Sequence, residues 1–376
     1  MPRRTTGITG ITRITEATGV SRRTAAKATA ATGLAVLFGA ATGTTRARAA
    51  TRLSGPGEAG CGSPAPPRGA GLCRSAASPR GATSNDGAAD ERRRNAALPA
   101  ERLAPRTLDL AVPSAALGRS APVRLILPSG FDTAAGRRYP VLYLLHGAHD
   151  DYTSWTRETD IESFTEGRDL IVAMPDAGPT GIPSAWRDGP DYETFQVEEV
   201  PALLARDYRA SGVRAVAGVS TGGYGAMAHA ARHPGVFTAA ASYSGVLDTT
   251  APGVPAIVDA IVAREGLSPA SLWGNPLLNL LTWRAFNPRA RADGLRGTAL
   301  YVSQGSGLAG GIGDWLPEAL ESALWPSARG FAAALARRGI PATTHFYAGG
   351  GHSWAYWKGE FTASWPILAH ALGVPE

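Results

Sequence analysis

The stretch VRAVAGVSTGGYGAMAHAARH (213–233) joins an apolar run to a helical pattern through a turn in which glycines surround a serine. VRAVA is typical of a strand buried on both faces. GYGAMAHAARH (223–233) spaces its apolar residues three and four apart, which predicts a helix. The five residues from Gly218 to Gly222 therefore fit the strand-turn-helix setting of a nucleophile elbow, in which glycines relieve crowding around the strained Ser220. A plain structural turn is the alternative, because G-x-S-x-G is short enough to arise by chance.

Apolar runs of strand length alternate with helical patterns on both sides of this stretch. The further runs are VRLILP (123–128), YPVLYLLHG (139–147), DLIVAMPD (169–176), TAAASYSG (238–245), TALYVSQG (298–305) and ATTHFYAG (342–349). Helical spacing recurs in TFQVEEVPALLARDY (194–208), PSARGFAAALARRG (326–339) and EFTASWPILAHAL (360–372). This alternation predicts one α/β domain over residues 106–376, with a doubly wound, mostly parallel sheet and helices on both faces.

Charge is distributed unevenly along the chain. Residues 1–106 contain 17 of the 37 basic and 6 of the 31 acidic residues, a net charge of +11, whereas residues 107–376 carry −5. The basic character belongs to the N-terminal segment, and its Arg92-Arg93-Arg94 run is typical of a solvated linker. We therefore predict no nucleic-acid partner.

Residues 1–49 have the order of an export signal peptide. Several arginines precede the mildly apolar stretch ATAATGLAVLFGAATG (28–43), and Ala47-Arg48-Ala49 offers small residues where a signal peptidase cuts. The apolar stretch is too short and too rich in Thr and Gly to span a membrane. SRRTAAK (21–27) resembles a twin-arginine signal, with Sec export as the alternative. A secreted or cell-envelope location is therefore predicted.

Residues 50–105 are rich in Ala, Gly, Pro, Ser and Arg and poor in aromatic and β-branched residues, which predicts a disordered linker. Cys61 and Cys73 lie in this linker and are the only cysteines of the chain. The predicted folded part therefore has no cysteine for a nucleophile or a Cys-rich metal site. In an exported protein, Cys61 and Cys73 could close a disulfide loop.

A serine hydroxyl is a weak nucleophile and needs a base. His352 is the favoured base, because it lies in GGGHSWAYW (349–357), a glycine-rich loop directly after the last predicted strand. The carboxyl ends of parallel strands meet at one edge of the sheet, where Ser220 is also expected. The histidines that fall inside predicted elements are interpreted as packing or structural residues: His229, His233, His345 and His370.

The acid that orients the base should lie between the nucleophile and the histidine in the chain. The segment after TALYVSQG offers Asp314, Glu318 and Glu321, and Asp248 follows the preceding strand. The residue pattern alone leaves this choice open.

LLHGAHDDYTSW (144–155) follows a predicted strand and is the expected oxyanion loop. We predict that the backbone N–H groups of Ala148 and Thr221 form the oxyanion hole. His146 and His149 could be interpreted as a metal pair, but with no cysteine available we expect them to shape the loop, with no metal and no cofactor.

Five segments together resemble secreted esterase-like proteins, above all the mycolyltransferases of the antigen 85 type. They are LLHGAHDDYTSW, WRDGPDYETFQVEEVPALL (186–204), GVSTGGYGAMAHAARHPGVF (218–237), LWGNPLLNL (272–280) and GGGHSWAYW, in this order over about residues 107–373. The resemblance implies an α/β-hydrolase fold, a Ser-Glu-His triad and no metal. It also implies transfer of a fatty acyl group from one trehalose ester to another sugar acceptor.

By this resemblance Ser220 is the nucleophile and His352 the base. Glu321 is the acid, because ALESALWPSARGFAAALARRGIPAT (319–343) fits the segment that carries the family's glutamate. Ala148 and Thr221 match the oxyanion-hole positions. The positions matched to the substrate side are Asp150, Asp151, Trp155 and Trp354.

The implied protein is a secreted serine esterase or acyltransferase that acts through an acyl-enzyme on lipid or carbohydrate esters, with a sugar as acceptor and transient association with the cell envelope. The HGAH sequence and Thr221-Gly222-Gly223 depart from the family pattern. A plain carboxylesterase of the feruloyl or short-chain type is therefore one alternative, and a non-catalytic cell-surface binding protein is another. The apolar segment 251–286 predicts either an acyl groove or a helical cap, and the oligomeric state stays open.

Overall fold

A computed structural model describes residues 100–134, 136–307 and 315–376. The predicted signal peptide, both cysteines, Asp314 and the linker up to residue 99 lie outside these ranges and remain predictions. Within the described residues, Glu101–Arg102 already pairs with the next strand, and the domain boundary at residue 106 stays a prediction.

One sheet of nine strands runs through the described residues. Its strands are β1 Glu101–Arg102, β2 Thr107–Ser114, β3 Arg119–Ile126, β4 Tyr139–Leu145, β5 Ile171–Pro175, β6 Ala210–Val219, β7 Ala239–Tyr243, β8 Ala299–Gly305 and β9 Thr343–Tyr347. Their spatial order is β1-β2-β3-β5-β4-β6-β7-β8-β9. In this spatial order, the pairs from β1 through β3 to β5 are antiparallel, and the pairs from β5 through β4 to β9 are parallel.

The seven predicted strands correspond to β3 through β9, so the expected mostly parallel sheet is confirmed. The strand β2 was not predicted, because its sequence TLDLAVPS alternates between buried and half-buried positions instead of forming a continuous apolar run. Such alternation is typical of an antiparallel strand with one face near solvent. The two-residue β1 is too short to leave a pattern.

The connecting helices have the following bounds: α1 Ser154–Glu158, α2 Ile161–Phe164, α3 Tyr192–Thr194, α4 Val200–Asp207, α5 Thr221–Arg232, α6 Val254–Arg264, α7 Ala270–Trp273, α8 Leu280–Ala285, α9 Trp315–Arg337 and α10 Trp354–Leu372. A π-helical turn, Phe195–Glu199, joins α3 to α4, and a 3-10 turn, Ala292–Leu295, precedes β8. Within the described ranges, no helix combines the length and the apolar character that crossing a lipid bilayer requires.

Helices cover both faces of the sheet, as neighbouring residues of β7 demonstrate. Ser242 faces α5, where a Cβ on Gly223 would come within 2.7 Å of its hydroxyl oxygen. Tyr243 faces the opposite side, where its hydroxyl lies 2.7 Å from that of Ser364 in α10. Successive strand residues point to opposite faces. The sheet is therefore a central layer, and the loops at its carboxyl edge remain accessible for a site.

Candidate active site

Ser220 occupies a strained turn between β6 and α5. Its backbone angles are φ 55° and ψ −121°, a conformation that costs a non-glycine residue about 1–3 kcal/mol and persists only where its surroundings impose it. A Cβ on Gly218 would lie 2.3 Å from the carbonyl oxygen of Gly222, and a Cβ on Gly222 would lie 2.4 Å from that of His146. Glycine is therefore required on both sides of the serine.

The loop after β9 brings the His352 imidazole against Ser220. Its Nε2 lies 2.7 Å from the Ser220 Oγ. The backbone N–H of His352 donates to the Pro317 carbonyl at 3.2 Å, which ties the loop to α9. Trp357 packs edge-on against the imidazole at a centroid distance of 5.0 Å. The imidazole is thus held against the serine and shielded from most water, with 7% of the side chain exposed.

Glu321 contacts the other side of the imidazole. Its Oε2 lies 2.9 Å from His352 Nδ1, and its side chain is fully buried. The other carboxylate oxygen accepts hydrogen bonds from the Ser244 hydroxyl and the Gly305 N–H, each at 2.8 Å. A buried carboxylate needs such donors. Because the carboxylate accepts from Nδ1–H, His352 Nε2 is left free to accept the Ser220 hydroxyl proton.

The other carboxylates considered from the sequence are placed differently. Asp248 accepts hydrogen bonds from Asn287 at 2.7 Å and Arg289 at 2.6 Å. Burial alone would raise the pKa of Asp248, but these hydrogen bonds lower it. Glu318 lies one turn before Glu321 in α9, and its Oε2 is buried without a hydrogen-bond partner among the described residues. Of the described candidates, Glu321 is the one that hydrogen-bonds to His352.

Ser244 is a contact of this site that sequence reasoning missed. It follows β7 with a positive φ of 52°. Its hydroxyl donates to Glu321 and accepts from the Trp357 indole N–H at 3.0 Å. The orientation of the buried carboxylate therefore depends on Ser244. The available signal was SYSG (242–245), which places polar residues where an apolar strand reaches the carboxyl edge.

The two predicted oxyanion-hole residues flank Ser220. Thr221 begins α5, so its N–H has no partner within the helix. Ala148 follows Gly147, where a Cβ would lie 3.3 Å from the Ser220 Cβ. Neither the Ala148 nor the Thr221 N–H donates a backbone hydrogen bond within the described residues. Both N–H groups are therefore without a backbone acceptor in the part of the chain that the structure describes.

The two aspartates of the loop after β4 stabilise that loop. Asp150 accepts from Arg157 at 2.6 Å. Asp151 accepts from both the backbone N–H and the hydroxyl of Thr153, at 2.8 and 2.6 Å. Burial alone would raise the pKa of Asp151, but the Thr153 hydrogen bonds lower it. The Asp151 side chain is 55% exposed, so of the two carboxylates it is the more accessible to a ligand.

The two tryptophans matched to the substrate side lie at different depths. Trp155 is 1% exposed, and its indole N–H donates to the Leu145 carbonyl at 3.2 Å. Its ring packs edge-on against Trp354 at a centroid distance of 5.1 Å. Trp155 thus belongs to the core rather than to an open surface, because its ring packs beneath Trp354. Trp354 is the partly exposed member of the pair.

His146 and His149 make separate contacts. His146 Nε2 accepts from the Ala177 N–H at 2.9 Å, and its Nδ1 lies 2.9 Å from the Gly147 carbonyl oxygen. His149 Nδ1 contacts the Glu265 carboxylate just beyond α6. Within the described part of the chain, no three His, Cys, Asp or Glu side chains are grouped as a metal site requires. Both histidines hold the loop in place.

The histidines assigned to structural roles contact residues away from Ser220. His229 Nε2 lies 3.1 Å from the side-chain oxygen of Gln196 in the π-helical turn, and burial lowers its pKa to about 4. His233 lies 2.7 Å from Glu193. His345 in β9 lies 2.9 Å from Glu360 in α10. These contacts join elements of the fold to one another.

The apolar segment 251–286 packs mainly as a cap. Its buried apolar side chains include Val254, Ile257, Val258, Ile261, Val262, Leu272, Trp273 and Trp283. Trp273 and Trp283 meet edge-on at 5.0 Å, and Trp273 also packs on Tyr224 of α5. Leu277, Leu278 and Leu281 are instead more than four-fifths exposed. The buried side chains agree with the cap interpretation, and these three leucines face solvent.

Comparison with known proteins decides the family. The model of the Esterase family, described as "Putative esterase", matches residues 114–368. The chain belongs to the Esterase family. The predicted resemblance is thereby confirmed, and the described sheet has the α/β-hydrolase fold of this family's structural relatives.

Relatives within this family are named as both esterases and acyltransferases. The chain is 30% identical over 260 residues to esterase Rv1288 of Mycobacterium tuberculosis, and this match covers 63% of this chain and 54% of that protein. It is 32% identical over 286 residues to the diacylglycerol acyltransferase/mycolyltransferase Ag85B of Mycobacterium intracellulare, covering 70% and 83% of the two chains. The crystal structure of MPT51 (FbpC1) from Mycobacterium tuberculosis matches with a TM-score of 0.58 and 25% identity over 73% of this chain and 99% of that one. The chain thus spans about half the length of the first relative.

Proposed function

We propose that the protein is an exported serine esterase or acyltransferase that works through an acyl-enzyme and resembles the mycolyltransferases. The observation that carries the proposal is the continuous hydrogen-bonded chain from Ser220 Oγ through His352 to Glu321, at 2.7 and 2.9 Å. Its members come from three separate loops and helices, and the serine is held in a strained turn. A structural turn has no need of a buried carboxylate and an oriented imidazole beside it.

In the first half of the proposed reaction, Ser220 attacks the carbonyl carbon of an ester. His352 Nε2 takes the hydroxyl proton, and Glu321 stabilises the resulting imidazolium through Nδ1–H. The N–H groups of Ala148 and Thr221 donate to the carbonyl oxygen as it becomes negative, when their stabilising effect is largest. The C–O bond to the leaving alcohol breaks as His352 returns its proton to that oxygen, which leaves an acyl-Ser220 ester.

In the second half, an acceptor hydroxyl attacks the acyl-Ser220 ester. His352 removes the acceptor proton, and the tetrahedral intermediate forms again in the same oxyanion hole. Its collapse breaks the bond to Ser220 Oγ, which regains a proton from His352. Water as acceptor gives a free acid, and a sugar hydroxyl gives a new acyl ester.

Around the reacting serine, Asp151 and Trp354 are the residues proposed to contact the substrate. The Asp151 carboxylate is exposed at the loop surface and can accept hydrogen bonds from sugar hydroxyls. The partly buried Trp354 ring presents an apolar surface for an acyl chain or a sugar face. Asp150 and Trp155 support these two residues from behind, through Arg157 and through the aromatic contact. Lipid or carbohydrate esters are therefore the proposed substrates.

A plain carboxylesterase, of the feruloyl or short-chain type, is the second candidate. It is favoured by the similarity to a relative named an esterase and by His146, where the HGAH sequence departs from the mycolyltransferase pattern. It shares the proposed chemistry as far as the acyl-enzyme. A non-catalytic cell-surface binding protein is the candidate of another class, and it would not react covalently at Ser220.

Export is proposed from the sequence of residues 1–49, which precede the described fold. A secreted or cell-envelope location would bring the protein to lipid and sugar esters outside the cytoplasm. Cleavage of the expressed protein near Ala49, measured by N-terminal sequencing of the secreted form, is the expected result. An unprocessed N-terminus on a protein retained inside the cell would contradict the export proposal.

The test of function uses the purified protein with p-nitrophenyl esters of increasing acyl length, each with and without trehalose or glycerol. We expect release of p-nitrophenol and an acyl-sugar product that both disappear in Ser220→Ala. Release with free acid alone would support the carboxylesterase. No release, together with no labelling of Ser220 by a fluorophosphonate probe, would refute an enzymatic function.

A further inference from the structure

The peptide bond between Gly147 and Ala148 is held from two directions. Its carbonyl oxygen lies 2.9 Å from His146 Nδ1. Gly181 packs against the peptide, and a Cβ there would lie 2.3 Å from the Gly147 oxygen and 2.8 Å from the Ala148 nitrogen. A side chain at position 181 would therefore displace the peptide. This peptide carries one of the two amides assigned to the oxyanion hole.

The tautomer of His146 follows from its other hydrogen bond. The Ala177 N–H can only donate, and it reaches His146 Nε2 at 2.9 Å. Nε2 must therefore be the acceptor nitrogen, and the proton of the neutral imidazole lies on Nδ1. Nδ1–H then donates to the Gly147 carbonyl. The imidazole is 1% exposed, and hydrogen bonds in such a buried setting are stronger than those in water.

The geometry of a trans peptide links this hydrogen bond to the site. The carbonyl of one residue and the N–H of the next lie in one plane and point in opposite directions. Because His146 holds the Gly147 carbonyl towards itself, the Ala148 N–H must point away from the imidazole. Loss of the bond would allow the peptide to rotate, and the amide would lose its fixed direction.

We propose that His146 is a positioning residue for the oxyanion hole. As the Nδ1–H tautomer, it fixes the Gly147–Ala148 peptide so that the Ala148 N–H is ready for the developing oxyanion. This inference rests on the proposed acyl-transfer function, but it assigns His146 no contact with substrate and no proton transfer. The effect falls on the transition state, where the oxyanion exists, rather than on ester binding.

Two conservative substitutions separate the two hydrogen bonds of the imidazole. His146→Asn keeps a donor near the position of Nδ1 and loses the acceptor for Ala177. His146→Gln extends the amide to the position of Nε2, so it keeps an acceptor for Ala177 and loses the donor to Gly147. The pair is matched, because each variant removes one hydrogen bond of a buried side chain.

We expect His146→Asn to retain kcat within about threefold. His146→Gln should lower kcat about 30-fold with KM almost unchanged, since a complete oxyanion donor is worth about 10²–10³-fold. A boronic acid, which forms a tetrahedral adduct with the serine, should bind His146→Gln more weakly in the same proportion. Equal losses of kcat in the two variants, or a change confined to KM, would overturn the proposal. Thermal unfolding of both variants establishes that they fold.

A measurement on the unaltered protein tests the tautomer without any variant. The ¹⁵N chemical shifts of the His146 ring should show a protonated Nδ1 and an unprotonated Nε2. A proton on Nε2 would overturn the proposal even if both variants failed to fold. Failure of the proposed function differs from failure of the His146 proposal, because it would appear as absent ester cleavage and absent fluorophosphonate labelling in the unaltered protein.

Discussion

Replacing Glu321 by glutamine removes one negative charge from the site with almost no change in size. The carboxylate accepts three hydrogen bonds, with Ser244 and Gly305 on one oxygen and His352 on the other. A glutamine has a single acceptor oxygen, and the two donors on the Oε1 side will hold it there. The glutamine NH₂ group then faces His352 Nδ1. Because Nδ1 carries the imidazole proton, two hydrogen-bond donors face each other there.

The loss follows from this reversed pairing. To accept from the glutamine NH₂, His352 must move its proton to Nε2, and Nε2–H can no longer take the proton of Ser220. The corresponding Asp-to-Asn change in a serine protease lowers kcat about 10⁴-fold. Because Glu321 is fully buried, water cannot compensate for the lost charge. We therefore expect a decrease in kcat of about 10³–10⁴-fold, equivalent to about 4–5 kcal/mol.

The assay is steady-state hydrolysis of a short p-nitrophenyl ester, with kcat and KM measured separately. Glu318→Gln is the matched control, because it makes the same substitution one turn earlier in α9, where the side chain does not hydrogen-bond to His352. This control should retain kcat within about threefold. A large loss in Glu318→Gln, or a retained kcat in Glu321→Gln, would refute the assignment of Glu321 as the acid.

Three further predictions concern the surroundings of the serine and the stability of the fold. Gly222→Ala would bring a Cβ to 2.4 Å from the His146 carbonyl oxygen, so we expect loss of soluble protein or a melting temperature many degrees lower, and unchanged melting would contradict the packing argument. Ser244→Ala removes one donor to Glu321 and the acceptor for Trp357, so kcat should fall about tenfold with KM unaffected, and an unaltered kcat would show that Glu321 needs no such support. Burial lowers the pKa of His229 from its ordinary 6.5 to about 4. The neutral imidazole therefore contributes about 3 kcal/mol to the free energy of unfolding above pH 6.5, and this contribution is lost as the pH falls to 4. Urea unfolding across that pH range should show this loss in the unaltered protein and a smaller one in His229→Gln, whereas equal slopes would exclude His229 as its source.

Much of the fold was accessible from sequence because its signals are local. The parallel strands are buried on both faces, so each appears as a short apolar run between turn residues. The strand β2 left a weaker signal, because its alternating burial resembles an irregular segment when it is considered alone. The elbow at Ser220 was recognisable since its glycines are imposed by contacts within a few residues of the turn and with the end of β4.

The choice of carboxylate shows where local signals end. Glu318 and Glu321 lie three residues apart on one helix, and the residue pattern alone did not separate them. Resemblance to a family favoured Glu321, and the structure brings that residue to His352. Only the structure separates the two, because Glu321 Oε2 lies 2.9 Å from His352 Nδ1, whereas Glu318 lies beside Gly351 in the same loop.

The sequence by itself determined the strand order along the chain, the elbow at Ser220 and the glycine-rich loop that carries His352, since each depends on neighbouring residues. Only the tertiary structure decided that Trp155 packs beneath Trp354, that Ser244 holds Glu321 and that His146 orients the Gly147–Ala148 peptide. The first two contacts join residues far apart in the chain, and the His146 imidazole is held by the N–H of Ala177, 31 residues further on. They exist because the carboxyl ends of parallel strands converge at one edge of the sheet, and no single segment carries that information.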